Sequence, residues 1–306
     1  MFEIVFLGTS ASAPSVARGL SAQVVLHDEH RFLIDCGEGT QRQILKSGLG
    51  FKRLDKVLIT HGHLDHILGL GGLVSTFSRW EAAEHMEIYA GQWALERVKD
   101  LLLGVVLRGE KSPLKIDFIR LEPGLLMQDH KFELRAFPVS HRGPDCFGFT
   151  LEEKPHRPFR VERAEALGVP AGPERKRLVA GQPITLGDGR VITPDQVLGD
   201  PKLGAKLVFV GDTGRTDNLV LEASGADLLV IESTYLDIEA DTARQFGHLT
   251  AAQAARLAAE AGVQQLCLTH ISRRYQASAV LAEAQAIFAN VHVASDFDSL
   301  KVTKPQ

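Results

Sequence analysis

Apolar residues fall along this chain in two rhythms. Short β-branched or apolar runs recur at Glu3–Leu7, Gln23–Leu26, Phe32–Ile34, Val57–Ile59, Glu87–Tyr89, Lys115–Arg120, Phe132–Ala136 and Phe147–Leu151. More follow at Lys206–Val210, Leu228–Ile231, Leu266–Leu268 and Val291–Ala294. Each predicts a β-strand. Between many of them, Thr40–Lys46, Ile67–Ser78, Gln92–Leu103, Ala251–Ala261 and Ser278–Ala289 carry apolar residues at three- and four-residue spacing, which predicts helices. The first half is richer in hairpin-like strand pairs, and the second alternates strand and helix. The mixture predicts a sheet-rich α/β fold with helices on the outside.

Two strands end alike. Lys56–His61 reads Lys-Val-Leu-Ile-Thr-His and Gln265–His270 reads Gln-Leu-Cys-Leu-Thr-His. Each is a buried strand that delivers a histidine to its end, where α/β proteins usually place chemistry. From Lys154 to Arg177 the rhythm fades. Seven Lys/Arg stand against three acids there, a local +4 in a chain of net −4. Gly168-Val169-Pro170-Ala171-Gly172-Pro173 breaks any continuous helix or central strand. This segment reads as a protruding basic arm.

Composition narrows the function classes. The chain has 306 residues, 44% hydrophobic and 24% charged, which fits one large globular domain or two small ones. With 38 acids against 34 Lys/Arg, a surface coated in basic charge is excluded. A polyanion would have to be met by a local patch or a metal. Cys36, Cys146 and Cys267 are scattered and odd in number, so no disulfide framework follows and a cytoplasmic location is expected. The start lacks a basic leader, carries Glu3 and reads as a first strand. Leu101–Leu107, the longest apolar stretch elsewhere, is too short to span a bilayer, so no membrane association is expected.

The chemistry concentrates in Thr60-His61-Gly62-His63-Leu64-Asp65-His66, between a strand and a helix. Three imidazoles and a carboxylate this close are costly to pack in an apolar core. Gly62 is expected to let the chain turn sharply, aiming His61 and His63 at one point and Asp65 and His66 at a second. Imidazole with carboxylate suits zinc, with manganese or iron as alternatives. Four ligands do not complete two metals, and His141, Asp212 and His270 each follow a predicted strand. The reading is His61, His63 and His141 on one metal, Asp65, His66 and His270 on the other, and Asp212 bridging with one oxygen each. His27 and His30 bracket a hairpin turn, and His85, His130, His156 and His292 lie in polar or turn contexts; all are expected to be solvated.

His-x-His-x-Asp-His, a distant His141, Gly211-Asp212-Thr213 and Thr269-His270 together resemble the metallo-β-lactamase superfamily of hydrolases. Phe6-Leu7-Gly8-Thr9, Leu33-Ile34-Asp35-Cys36-Gly37-Glu38-Gly39-Thr40, Ile231-Glu232-Ser233-Thr234 and Thr269-His270-Ile271-Ser272-Arg273-Arg274-Tyr275 resemble ribonuclease Z, the tRNA 3′-processing endonuclease family. Ala166–Pro173 is similar to that family's tRNA-gripping exosite with its Gly-Pro pair, here Gly172 and Pro173. The likeness runs from Phe2 to about Asp298. It departs at Gly19 (usually Asn), at Gly71 (usually Pro) and at Leu249 (usually Ser).

The resemblance implies an αββα sandwich as one domain over 1–306, with an inserted region at 152–200 holding a tRNA-binding arm at about 154–177. It implies two zinc ions per subunit and a homodimer in which one subunit's arm reaches tRNA held at the other's site. Asp65 would also take a proton from the attacking water. His248, just outside a helix start formed by the Thr250/Gln253 capping box, would assist at the phosphate. Arg274 and Tyr275 would contact phosphates near the cut. The implied reaction removes 3′ trailers from precursor tRNA, leaving a 3′-hydroxyl on the tRNA and a 5′-phosphate on the trailer.

Rivals on the same fold are narrowed by length and residue type. A glyoxalase-type thioesterase needs a substrate domain after His270. The commonest β-lactamases carry Cys where Asp212 stands, and a cap-domain nuclease needs more than the 71-residue separation of His141 and Asp212. A hydrolase of small phosphodiesters or other esters, and a non-catalytic tRNA-binding scaffold, are the alternatives carried forward.

Overall fold

Phe2, Ile4 and Phe6 alternate with Val5 and Leu7 along the first strand, and both sets are buried. A strand apolar on both faces must be covered on both faces. The structure, a computed structural model, describes residues 1–80, 83–109 and 112–304 and meets that demand with two sheets back to back. Residues 305 and 306 of the expected domain lie outside the described residues. The described chain forms two compact units, 1–152 with 205–306, and 153–204.

The first unit holds two seven-stranded sheets. One runs in the order Ser299–Val302, Phe2–Gly8, Ala22–His27, His30–Ile34, Lys56–Leu58, His85–Ala90, Lys115–Arg120. Its pairs are antiparallel through His30–Ile34 and parallel from there on. The other runs Val291–Val293, Leu266–Thr269, Leu228–Glu232, Lys206–Phe209, Cys146–Glu153, Phe132–Val139, Gly124–Gln128. Its first four strands are mutually parallel.

Between the sheets, Phe2, Ile4, Phe6, Phe32 and Ile34 pack against Phe132, Phe149, Leu207, Phe209 and Val230. Each such side chain is worth about 1.5–3 kcal/mol in burial. Outside the first sheet, Leu70, Leu73, Val74 and Phe77 cover Val5, Leu7, Leu33 and Val57 with Ala94, Leu95 and Val98. Outside the second, Ala251, Ala254, Ala255, Ala258 and Val280 cover Val208, Val210, Leu229 and Leu268. The result is helix, sheet, sheet, helix, the expected α/β class.

Several local expectations are corrected. The helix expected from Ile67 starts inside the motif as Leu64–Ile67 and continues as Gly69–Trp80, so Asp65 and His66 sit in its first turn. The strand Gly124–Gln128 was not legible, because its run lacks alternation and its pairing carries an irregularity between Leu125 and Met127. His27 is buried rather than solvated, its ring packed on Phe2 and Phe132. Among the described residues no helix is long and apolar enough to cross a membrane.

The second unit, Glu153–Gly204, contains the basic segment and is itself folded. Helices Val161–Ala166 and Pro173–Val179 flank the Gly-Pro stretch, and Ile184–Thr185 pairs with Val191–Ile192. Ala164, Val169, Leu178, Ile184, Ile192, Val197 and Leu198 form its own small core. Arg157 pairs with Asp195, while Arg163, Lys176 and Arg177 stay exposed.

Candidate metal centre

The strand Lys56–Leu58 runs on to Thr60 and His61, the strand Phe132–Val139 to His141, Lys206–Phe209 to Asp212, and Leu266–Thr269 to His270. The two sheets thus deliver side chains to one rim. His61, His63, His141 and Asp212 present ligand atoms within 4.8 Å of one another, and so do Asp65, His66 and His270. His61 Nε2 and His63 Nδ1 are 2.9 Å apart, and His141 Nε2 is 3.3 Å from His63 Nδ1. Asp212 reaches both groups. Its Oδ2 lies 3.7 Å from His61 Nε2, 3.8 Å from His141 Nε2 and 3.5 Å from His66 Nε2, and its Oδ1 lies 3.4 Å from His270 Nε2. Asp65 Oδ2 is 3.4 Å from His270 Nε2 and 3.7 Å from His66 Nε2. All seven residues expected as ligands are therefore together.

Gly62 serves a different purpose from the expected one. Its φ is outside the left-handed region, but a Cβ there would sit 2.9 Å from the Trp93 ring. The position needs space for packing rather than a special turn.

Two buried carboxylates that the sequence reading did not assign fix the imidazoles. Asp35, fully buried, accepts the Nδ1 proton of His66 at 2.7 Å. It also accepts from the Thr60 hydroxyl at 2.9 Å, and that hydroxyl lies 3.0 Å from His61 Nδ1. Glu232, also fully buried, accepts the Nδ1 proton of His248 at 2.9 Å. It accepts from the Thr234 hydroxyl at 2.6 Å, which lies 3.0 Å from His270 Nδ1. His141 Nδ1 donates to the Gly247 carbonyl at 2.7 Å. His61, His66, His141 and His270 thereby turn Nε2 toward the cluster, the usual outer arrangement behind metal-bound histidines. The sequence signal was present: Glu232 follows four apolar residues of a buried strand, where a lone carboxylate must find partners.

The electrostatics fit a cation. Burial, helped by His66, holds His61 well below the usual imidazole range. Burial also lowers His63, to about 4, and His141. For His66, burial opposes the charge, but Asp212, Asp35 and Asp65 outweigh it and hold the pKa well above the ordinary value. Asp212 is held well below the carboxylate range, since His270 and His66 overcome its burial. Neutral His61, His63 and His141 beside ionised Asp212 are a donor set that divalent ions take, and at His66 an ion would replace the proton that the surrounding carboxylates favour. Among the described residues, His66 Nε2 and Asp212 Oδ1 are also buried without a hydrogen-bond partner, a costly arrangement that an ion would satisfy.

His248 stands apart from the ligands. It lies within 4.8 Å of Asp212 and His270, but its Nδ1 is taken by Glu232. Burial opposes its charge, yet Glu232 and Asp212 push its pKa up to about 9. The cluster opens into a cleft of about 390 Å³, lined by His248, Ser12, Leu64, Arg142, Tyr235 and Phe246 besides the ligands. The Ser12 N–H donates to Asp65 Oδ2 at 3.0 Å. Arg274 and Tyr275 are not in that lining. Arg274 is exposed and paired with Glu239 at 2.9 Å. The Tyr275 ring packs on the second sheet's outer core and its hydroxyl is buried, so a phosphate contact through that hydroxyl is corrected. Gly172 and Pro173 lie in the second unit, at the start of the helix Pro173–Val179.

Two sheets faced by helices, with a His/Asp cluster at one rim, define a member of the metallo-β-lactamase superfamily. Residues 196–271 match the family described as β-lactamase superfamily domain, and residues 2–155 match that of the anti-Pycsar protein Apyc1. The chain belongs to the ribonuclease Z family. It is 49% identical over 302 residues to ribonuclease Z of Bradyrhizobium sp. (strain ORS 278), covering 99% of this chain and 100% of that one. It is 39% identical to ribonuclease Z of Archaeoglobus fulgidus, covering 99% and 98%. Human tRNase Z, short form, is 28% identical with a TM-score of 0.70, covering 99% of this chain and 100% of that one. The Bacillus subtilis metallo-β-lactamase fold protein YhfI shares the fold at 18% identity and a TM-score of 0.70, covering 98% of each.

Proposed function

We propose that this protein is a dinuclear-metal phosphodiesterase that removes 3′ trailers from precursor tRNA. The supporting observation is the convergence of His61, His63, Asp65, His66, His141, Asp212 and His270 on one rim, in a chain 49% identical along its length to a relative named ribonuclease Z. His61, His63 and His141 would hold one ion, Asp65, His66 and His270 the other, and Asp212 both. We assign zinc, with manganese or iron as alternatives. When bound, such a pair acidifies water and offsets charge on phosphoryl oxygens.

The chain's own groups do the rest. Asp65, ionised and oriented by the Ser12 N–H, accepts the proton of the attacking water. His248, held by Glu232 with Nε2 directed away from that carboxylate, donates a proton to the departing 3′-oxygen. Arg274 at the rim meets backbone phosphate. The unit Glu153–Gly204, including Gly172-Pro173 and exposed Arg163, Lys176 and Arg177, supplies affinity for the tRNA backbone, whose charge dominates binding. We place the protein in the cytoplasm, in keeping with three buried, free cysteines, and propose that it acts as a homodimer. The test is incubation with a 3′-labelled precursor tRNA, with and without chelator. Chelator-sensitive release of a 5′-phosphorylated trailer is the expected result. Metal-replete protein that cuts a chromogenic phosphodiester but no precursor would favour the small-ester reading. Metal-free protein that binds tRNA without cutting it would favour the scaffold.

A further inference from the structure

Two segments dock back to back at the cleft mouth. His141 is followed by Arg142, and Phe246 and Gly247 precede His248. The inner pair, His141 and His248, has ring centroids 5.0 Å apart. In the outer pair, the Arg142 guanidinium lies 5.6 Å from the centre of the Phe246 ring. Gly247 locks the two segments together. Its φ of +70° ends the helix Ala240–Phe246, its carbonyl binds His141 Nδ1 at 2.7 Å, and a Cβ there would fall 3.0 Å from Arg142 Cγ. The backbone that carries Phe246 is therefore fixed relative to the ligand cluster.

That outer pair is unexplained by folding. Phe246 is 41% exposed and, among the described residues, belongs to none of the hydrophobic clusters. Arg142 is exposed, and among the described residues no carboxylate pairs with it. Both line the cleft, with Leu64, 49% exposed, as further apolar surface. A partly exposed aromatic ring with a guanidinium over one face is the standard kind of platform for an unpaired nucleobase and its phosphate.

We propose that Phe246 and Arg142 form a nucleobase subsite, in which the base of the nucleotide carrying the departing 3′-oxygen stacks on Phe246. This rests on the tRNA reading above. The choice of nucleotide follows from His248, two residues along, which faces that oxygen. Arg142 meets the phosphate of the same nucleotide.

The experiment compares kcat/KM for a precursor tRNA and for the same precursor abasic at the nucleotide 5′ to the cut. It uses the metal-loaded wild type, Phe246→Ala and Phe246→Trp, with metal content and melting temperature checked for each. Wild type and Phe246→Trp should prefer the intact base by about tenfold or more. Phe246→Ala should cut the intact precursor about tenfold more slowly and lose the preference. An Ala variant that keeps the full preference, or a wild type with none, overturns the subsite. A wild type that cuts neither precursor removes the tRNA reading itself, and the subsite with it.

Discussion

The Asp35 carboxylate accepts the Nδ1 proton of His66 at 2.7 Å, and both side chains are shielded from solvent. Across the rim Glu232 does the same for His248 at 2.9 Å. Each carboxylate also steadies a second histidine through a threonine hydroxyl, Thr60 for His61 and Thr234 for His270. One buried acid at a strand end of each sheet thus orients two imidazoles.

Asp35→Asn keeps the shape and removes the charge. Removing an outer partner of a metal ligand typically weakens metal affinity about 10- to 100-fold. Competition with a chelating dye should show that loss in Asp35→Asn, with turnover restored in part by excess metal. Unchanged affinity would mean that Asp35 only ties the Thr60 backbone through its 2.8 Å bond to that N–H.

A proton donor matters most when the leaving group is poor. His248→Ala should lower kcat on precursor tRNA by about 10²- to 10⁴-fold, within the usual range for general acids. On a p-nitrophenyl phosphodiester, whose leaving group needs no proton, the loss should be under about tenfold. Glu232→Gln should follow the same pattern more weakly, because the imidazole loses its orienting charge. Equal loss on both substrates would place His248 in binding or in the metal shell instead.

The basic unit can be removed as a whole. A Cβ on Gly204 would lie 2.0 Å from the Glu153 carbonyl oxygen, so the unit's two ends are adjacent and a two-residue turn can replace 154–203. Cutting out only Lys154–Arg177 would split its core, since Leu178, Ile184, Ile192 and Val197 pack with Ala164 and Val169. The replacement should raise KM for precursor tRNA at least about tenfold and flatten its salt dependence, while sparing small esters. A matching loss on small esters would make the unit a structural element.

His61, His141, Asp212 and His270 were legible because each follows shortly after an apolar strand, where buried strands meet solvent, and His63, Asp65 and His66 because they crowd into the loop and helix start that follow His61. His141, Asp212 and His270 are 71 and 58 residues apart in succession, and only the shared rim of two sheets joins them. The carboxylates behind them were not legible as such. Asp35 and Glu232 look like ordinary strand-end acids until the fold closes around them. The basic segment showed its charge but not its core, because its apolar residues are spread through short helices and a two-residue hairpin. Phe246 and Arg142 were likewise invisible: their pairing depends on Gly247 bringing distant segments together.

The central claim is a pair of ions shared through Asp212, and elemental analysis of metal-saturated protein tests it most directly. Wild type should carry two divalent ions per chain, and Asp212→Ala should lose tight binding of both, together with all turnover. A wild type that saturates below two ions, or an Asp212→Ala protein that retains two and still cuts, would contradict it.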